Sequence, residues 1–292
     1  MFQGTLIAMV TPFTRDGEVN HARVKELVEF HVEKGTNGLV PSGTTGESPT
    51  LSGAEKLALF GTVIEAAAGR IPVIAGTGNY NTRESLEMTR SAKNLGADAA
   101  LVITPYYNKP TQEGLYRHFM TIADSVDLPL IVYNVPGRTS VNILPETVAR
   151  LADHPNIVAV KEASGNLVQV SRIHELCGDK ITILSGDDGL LLPILSVGGQ
   201  GVISVTGNIV PDRINSLIAA FEQGNHREAL VIHRQLADLN RILFIETNPI
   251  PIKTAMNMMG LEMGGFRLPL CDLSPQNRKK LEETLRRYEL IS

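Results

Sequence analysis

The stretch Ile157-Val158-Ala159-Val160-Lys161, followed by Glu162-Ala163-Ser164-Gly165, is apolar and mostly β-branched until it meets one lysine. A short run of this kind predicts a strand buried on both faces, as in a parallel sheet. A lysine at the carboxyl end of such a strand loses hydration, and burial favours its neutral amine. At the reference pKa of about 10.4, roughly one amine in 2,500 is neutral at pH 7; at about 7–8, roughly a tenth to a half is. That difference separates an inert cation from a nucleophile able to form a Schiff base with a carbonyl. Taken alone, Lys161 has a second reading, in which it caps the strand and reaches water.

Similar buried runs recur on both sides of this one, at intervals of roughly 20–35 residues. They are Leu6–Val10, Gly38–Pro41, Pro72–Ala75, Ala99–Ile103, Leu130–Tyr133, Val158–Lys161, Ile181–Leu184 and Gly201–Val205. The segments between them have helical periodicity: Val24, Leu27, Val28 and His31 share a face, as do Leu86, Thr89, Ala92 and Leu95. Gly35, Gly69 and Gly96 stand where left-handed helix caps are expected. Eight such units predict a closed (β/α)8 TIM barrel over residues 1–224, with an open doubly wound sheet as the alternative. Residues 225–292 lose strand character and predict a C-terminal helical extension, with helices over Glu228–Leu243, Ile252–Met259 and Gln276–Tyr288. The middle helix starts through Asn248-Pro249-Ile250-Pro251, a rigid lead-in suited to a helix start.

Composition narrows the function. A chain of 292 residues with 43% hydrophobic content can bury about three quarters of its unfolded surface. A formal charge of −4 carries no basic footprint, so nucleic acid is not an expected partner. Arg278-Lys279-Lys280 and Arg286-Arg287 alternate with Glu282, Glu283 and Glu289, as a solvated helix face does. Two cysteines, Cys177 and Cys271, make no disulfide framework and suit a reducing compartment. The first residues lack a positive segment ahead of their apolar run, and no stretch approaches the ~20 apolar residues of a membrane span. A soluble, cytoplasmic protein is expected.

The residues that follow each strand carry the chemistry. They include Ser42-Gly43-Thr44-Thr45-Gly46-Glu47-Ser48, Gly76-Thr77-Gly78, Thr104-Pro105-Tyr106-Tyr107-Asn108-Lys109-Pro110 and Tyr133-Asn134-Val135-Pro136-Gly137-Arg138-Thr139. Lys161, Ser185-Gly186-Asp187-Asp188 and Ser204-Val205-Thr206-Gly207-Asn208 complete the set. A barrel gathers all of these on its catalytic rim. Hydroxyls, phenols, one arginine and one lysine then meet at one mouth, and the convergence favours a functional Lys161.

Other chemistries fit less well. The seven histidines fall in predicted helices or in segments leading into strands, which disfavours a catalytic metal on the rim. Asp187-Asp188 reads as a solvated or capping pair, and Met256, Met258 and Met259 as core filler. Gly43–Ser48 lacks the Gly-Lys-Ser/Thr ending of a nucleotide loop, and Gly76-Thr77-Gly78 is half a dinucleotide fingerprint. No metal and no cofactor are expected. Backbone donors in Gly43–Gly46 could still cradle a small carboxylate. Gly165 and Gly186 serve either tight turns or close approach to a substrate.

On these motifs the chain resembles the dihydrodipicolinate synthase (4-hydroxy-tetrahydrodipicolinate synthase) family, within the pyruvate-dependent class I aldolases that include N-acetylneuraminate lyase. The likeness runs from Gly4-Thr5 to Asn248-Pro249-Ile250-Pro251-Ile252-Lys253. Gly43-Thr44-Thr45-Gly46-Glu47 and the strand-end lysine mark the superfamily; the Pro105–Pro110 and Tyr133–Thr139 segments resemble the synthase branch. The resemblance implies condensation of pyruvate with L-aspartate 4-semialdehyde in lysine and diaminopimelate synthesis, with Lys161 forming the Schiff base. It implies a proton relay of Tyr133, Thr44 and Tyr107, the last donated by a neighbouring subunit. It also implies that Thr45 holds the pyruvate carboxylate, that Arg138 binds the carboxylate of the semialdehyde, and that backbone groups of Gly186 and Ile203 line the pocket. A homotetramer assembled as a dimer of dimers is implied as well. Two other readings stay open: a sister aldolase acting on a sugar-derived 2-keto acid, and a barrel that serves as a non-catalytic subunit.

Feedback-sensitive members of the family bind lysine at a dimer interface, and the positions concerned here are Ser48, Pro49, Tyr80, Glu84 and Tyr106. Ser48, Glu84 and Tyr106 match that site. Enterobacterial-type members carry histidines where this chain has Gly53 and Lys56, and an asparagine where it has Tyr80. Lys56 would set a like charge near an incoming lysine, so weak or absent inhibition is expected.

Overall fold

The computed structural model describes residues 2–292. Eight strands lie where the apolar runs predict them, with ends shifted by a residue or two. They are β1 Gly4–Ala8, β2 Gly38–Val40, β3 Ile74–Gly76, β4 Ala99–Ile103, β5 Leu130–Asn134, β6 Ile157–Glu162, β7 Thr182–Ser185 and β8 Gly201–Ser204. Among the described residues, twelve helices connect and follow them. They are α1 His21–Glu33, α2 Gly53–Ala67, α3 Thr82–Leu95, α4 Gln112–Ser125, α5 Pro136–Thr139, α6 Pro145–Leu151, α7 Leu167–Cys177, α8 Leu191–Ser196, α9 Pro211–Glu222, α10 His226–Ile242, α11 Ile250–Met258 and α12 Pro275–Arg287.

All strand pairings are parallel, in the order β2-β1-β8-β7-β6-β5-β4-β3. Because β1 pairs with both β2 and β8, the sheet curls back on itself. A parallel bridge between Leu39 and Val73 joins β2 to β3, with Leu39 N–H donating to Pro72 O at 2.9 Å and Gly76 N–H to Pro41 O at 3.0 Å. This is a barrel, not the open doubly wound sheet. The seam is tight, since a Cβ on Gly76 would lie 2.3 Å from the Ser42 carbonyl oxygen.

The two-residue period of each strand assigns its side chains. Leu6, Ile74, Leu101, Ile131, Ala159 and Leu184 fill the barrel interior as one apolar cluster. Their neighbours Ala100, Val102, Leu130, Val132 and Val160 face outward, packed with Leu115, Phe119, Val148 and Ile173 of the surrounding helices. The alternation that sends Ala159 inward sends Lys161 inward too, and the one that sends Ile131 inward does the same for Tyr133. Glu162 is left on the outer side, where its buried carboxylate accepts from Asn134 Nδ2 at 3.0 Å, Gln169 Nε2 at 3.2 Å and Ser164 N–H at 2.7 Å. That network ties β5, β6 and α7 together immediately behind the two inward residues.

The C-terminal helices share the outer core. Leu236, Leu239, Ile252, Met256, Leu281 and Leu285 belong to the same buried cluster as Ile7, Val28 and Leu39. Gly96 caps α3 in the left-handed conformation, at φ 93°, and Gly35 and Gly69 follow α1 and α2 at φ 67° and 71°. One face is corrected: Leu95 is 42% exposed, and Ser85 replaces it in the buried stripe of α3 with Thr89 and Ala92. Among the described residues no helix is long and apolar enough to cross a membrane.

His31 lies in the buried face of α1, and neither of its ring nitrogens has a partner among the described residues. Burial holds its pKa down to about 3. The unfolded chain therefore binds a proton near pH 6.5 that the folded chain refuses until near pH 3. The stability from this group is complete above pH 6.5 and is lost as pH falls between those values. At pH 4.5 the loss is about 2–3 kcal/mol. Urea titrations from pH 7 to 4.5 should show that decline, and His31→Leu should flatten it; an unchanged pH slope would show that His31 does not carry the effect.

Candidate active site

Lys161, the last residue but one of β6, is only 5% exposed, and Tyr133, the last but one of β5, lies directly beside it in register. The Lys161 Nζ lies 4.3 Å from the centroid of the Tyr133 ring. Burial lowers the lysine pKa to about 7, against the pull of the Asp188 carboxylate and with a smaller push from Arg138. Close to half of the amine is then neutral at pH 7. Burial also raises the Tyr133 phenol, opposed by its contact with the Thr44 hydroxyl and by the charge of Arg138.

These residues border a cavity of about 620 Å³ at the carboxyl ends of the strands, lined by Thr44, Thr45, Tyr133, Arg138, Lys161, Gly186 and Asn248 among others. Glycine at position 186 makes room for the lysine: a Cβ there would lie 2.6 Å from Ala163 Cβ and 3.2 Å from Lys161 Cε. Close approach, not turning, explains Gly186. Gly165 is a turn residue, at φ 75° with nothing near its missing side chain.

Arg138 sits on α5, the one-turn helix started by Pro136, and its Nη2 donates to the Asn248 carbonyl at 3.1 Å. Thr45 Oγ1 accepts from Asn248 Nδ2 at 3.0 Å. Thr45 and Arg138 are thus held from the same residue. Asp187 caps the short turn Asp188–Leu190 by accepting from Gly189 N–H at 2.8 Å. Asp188 is buried, bonded to the Ser204 hydroxyl and to the N–H groups of Val205 and Thr206 at 2.8 and 3.1 Å. Burial pushes its carboxyl up against those bonds.

A second cavity, about 220 Å³, lies on the other side of Thr44, Tyr133 and Arg138, which border both. Ser48, Pro49, Lys56, Asn79 and Tyr106 line it. Tyr80 is half exposed, with its ring edge-on to Tyr106 at 5.2 Å between centroids; neither Tyr80 nor Glu84 lines the cavity. Glu84 lies near enough to Lys56 to oppose the lowering of its pKa by burial.

One residue with an expected role stands apart within the single chain. Tyr107 is 92% exposed, in the left-handed region at φ 67°, and lines neither cavity. The Ile203 side chain belongs to the apolar cluster of the barrel interior, so the role expected of this residue falls to its backbone.

A model of the Dihydrodipicolinate synthetase family matches residues 1–288. The chain belongs to this family. The 4-hydroxy-tetrahydrodipicolinate synthase of Thermodesulfovibrio yellowstonii is 54% identical over 291 residues, covering 100% of both chains. Among solved structures, dihydrodipicolinate synthase from Aquifex aeolicus superposes with a TM-score of 0.97 at 49% identity, over 99% of each chain. The chloride-inhibited dihydrodipicolinate synthase of Acinetobacter baumannii, in complex with pyruvate, does so at 0.97 and 46% identity over 100% of each.

Within this dihydrodipicolinate synthetase fold, the sequence reading missed the roof of the site. His233, Ala237, Asn240, Arg241 and Phe244 also line the larger cavity, because α10 and the residues just after it lie across the barrel mouth. His233 is therefore an exception to the placement of histidines away from the rim. The sequence favours a rigid helix start over a catalytic element for the segment that begins at Asn248, yet Asn248 contacts both Thr45 and Arg138. Its proximity to Gly43–Glu47 in space, about two hundred residues away in sequence, left no local signal.

Proposed function

We infer that this protein condenses pyruvate with L-aspartate 4-semialdehyde to give 4-hydroxy-tetrahydrodipicolinate, the first committed step toward diaminopimelate and lysine. The observation that carries the reading is the buried Lys161 amine, its pKa lowered to about 7, facing a cavity that also presents Arg138. The neutral amine adds to the ketone of pyruvate and water leaves, forming an imine. The imine withdraws electrons, so a methyl proton departs and an enamine carbon attacks the aldehyde. The amine of the second substrate then closes onto the former ketone carbon, and the Lys161 nitrogen leaves.

In this reading Thr45 and neighbouring amides hold the pyruvate carboxylate. The planar fork of Arg138 binds the carboxylate of the semialdehyde through two parallel hydrogen bonds. Protons pass along Tyr133, Thr44 and Tyr107, since a phenol with a reference pKa near about 10 works at pH 7 as one link in a chain of hydrogen bonds. Gly186 and Ile203 complete the pocket wall. Tyr107, exposed and unused in its own chain, is supplied to a neighbouring subunit, which requires at least a dimer and fits a tetramer of two dimers. The protein works in the cytoplasm and needs neither metal nor cofactor.

Turnover of the semialdehyde against that of keto-deoxy sugar acids tests the substrate assignment. The semialdehyde is expected to be preferred by orders of magnitude in kcat/KM; preference for a sugar acid would replace this reading with the sister-aldolase one. Lysine is expected to inhibit weakly or not at all, because the Lys56 charge lines the smaller cavity. An activity titration checks this, and half-inhibition below millimolar lysine would contradict it.

A further inference from the structure

Lys253 is buried more completely than Lys161, and it is not a candidate nucleophile. It lines neither cavity, and its Nζ donates to Glu47 Oε1 at 2.8 Å with both side chains at 0% exposure. The same Nζ lies 3.9 Å from the centroid of the Phe13 ring. Glu47 ends the turn that carries Thr44 and Thr45, in the left-handed region at φ 55°, and its N–H donates to Thr44 O at 3.1 Å. Its other carboxylate oxygen accepts from Arg267 N–H at 3.2 Å. Five residues before Lys253, Asn248 holds Thr45 through its side chain and Arg138 through its carbonyl.

Two charges removed entirely from water contribute little net stability, because the desolvation cost offsets most of their attraction. What such a pair supplies is register. A shift of Lys253 along α11 would leave the Glu47 carboxylate buried without its cation, which the site does not tolerate.

We propose that Lys253 is a positioning residue for the reaction: by holding Glu47 while Asn248 holds Thr45 and Arg138, the segment Asn248–Lys253 sets the turn that binds pyruvate and its spacing from the arginine that binds the second carboxylate. The proposal rests on the function inferred above. Its prediction is selective: loosening the pair degrades ground-state capture of pyruvate more than the chemical steps on Lys161.

Glu47→Gln, Lys253→Met and the double variant test it, each with thermal melting, separate KM values for the two substrates, kcat, and borohydride trapping at saturating pyruvate. The double variant leaves no lone buried charge, and Glu47→Gln leaves only an amine that can shed its proton, so these are the ones expected to fold even where Lys253→Met does not. In them the pyruvate KM should rise about tenfold or more, kcat should fall less than KM rises, and trapping on Lys161 should persist. The double variant should be no worse than the worse single one, because both changes break one link. Wild-type KM values for both substrates in a folded Glu47→Gln or double variant, with only the melting temperature lowered, would overturn the proposal. Failure of the wild-type enzyme to be trapped by pyruvate would instead overturn the reading on which it rests.

Discussion

Lys161→Ala is expected to lower kcat by on the order of 10⁴-fold or more, with the fold retained. The side chain is buried with its amine over the Tyr133 ring, so its removal takes away a contact with a ring face and not with a polar group that would need replacing. Nothing nearby can replace it. Lys253, the other buried amine, is occupied by Glu47 and lies outside the cavity. Lys161→Arg should be as inactive as the alanine variant, since guanidinium stays protonated at every working pH and cannot form an imine. Steady-state rates, with circular dichroism to confirm folding, check both; near-wild-type turnover in either would remove the covalent step from the mechanism.

Tyr133→Phe comes second, with an expected fall in kcat of about 10²–10⁴-fold, the range for a positioned proton-transfer group. The change deletes one oxygen and keeps the ring against the Lys161 Nζ, so the lysine keeps its desolvated setting. Imine formation with pyruvate should therefore survive while enamine formation and ring closure slow. Exchange of the pyruvate methyl protons with deuterated water, followed by proton NMR, separates these steps. Slow exchange with intact trapping fits the role; exchange at the wild-type rate would leave Tyr133 as packing alone.

The parts of the fold legible in the sequence were those with a strong local signal. β4 runs Ala99–Ile103 as the apolar run predicts, and the strand period that buries Ile131 and Ala159 also aims Tyr133 and Lys161 inward. Lys161 was conspicuous because a charge at the end of an apolar strand has few reasons to be there. Contacts between distant segments left no such trace. The sequence marks α10 as a helix, but nothing local shows that it roofs the cavity with His233 and Arg241. Glu47 and Lys253 both fall in family motifs, but nothing local pairs them, because their contact depends on where α11 docks. α5 is a single turn, too short for any periodicity to register. Tyr107 shows the converse limit: its place in a partner's site came from resemblance, and one chain leaves its side chain in solvent.

The most direct test of the covalent mechanism is reduction with borohydride in the presence of pyruvate, mapped by peptide mass across a pH series. A pyruvate-derived adduct is expected on the peptide that contains Lys161. Its initial rate should rise as pH passes through about 7 and level off above, because only the neutral amine adds to the ketone. No adduct, or an adduct confined to another lysine such as Lys253, would contradict the account.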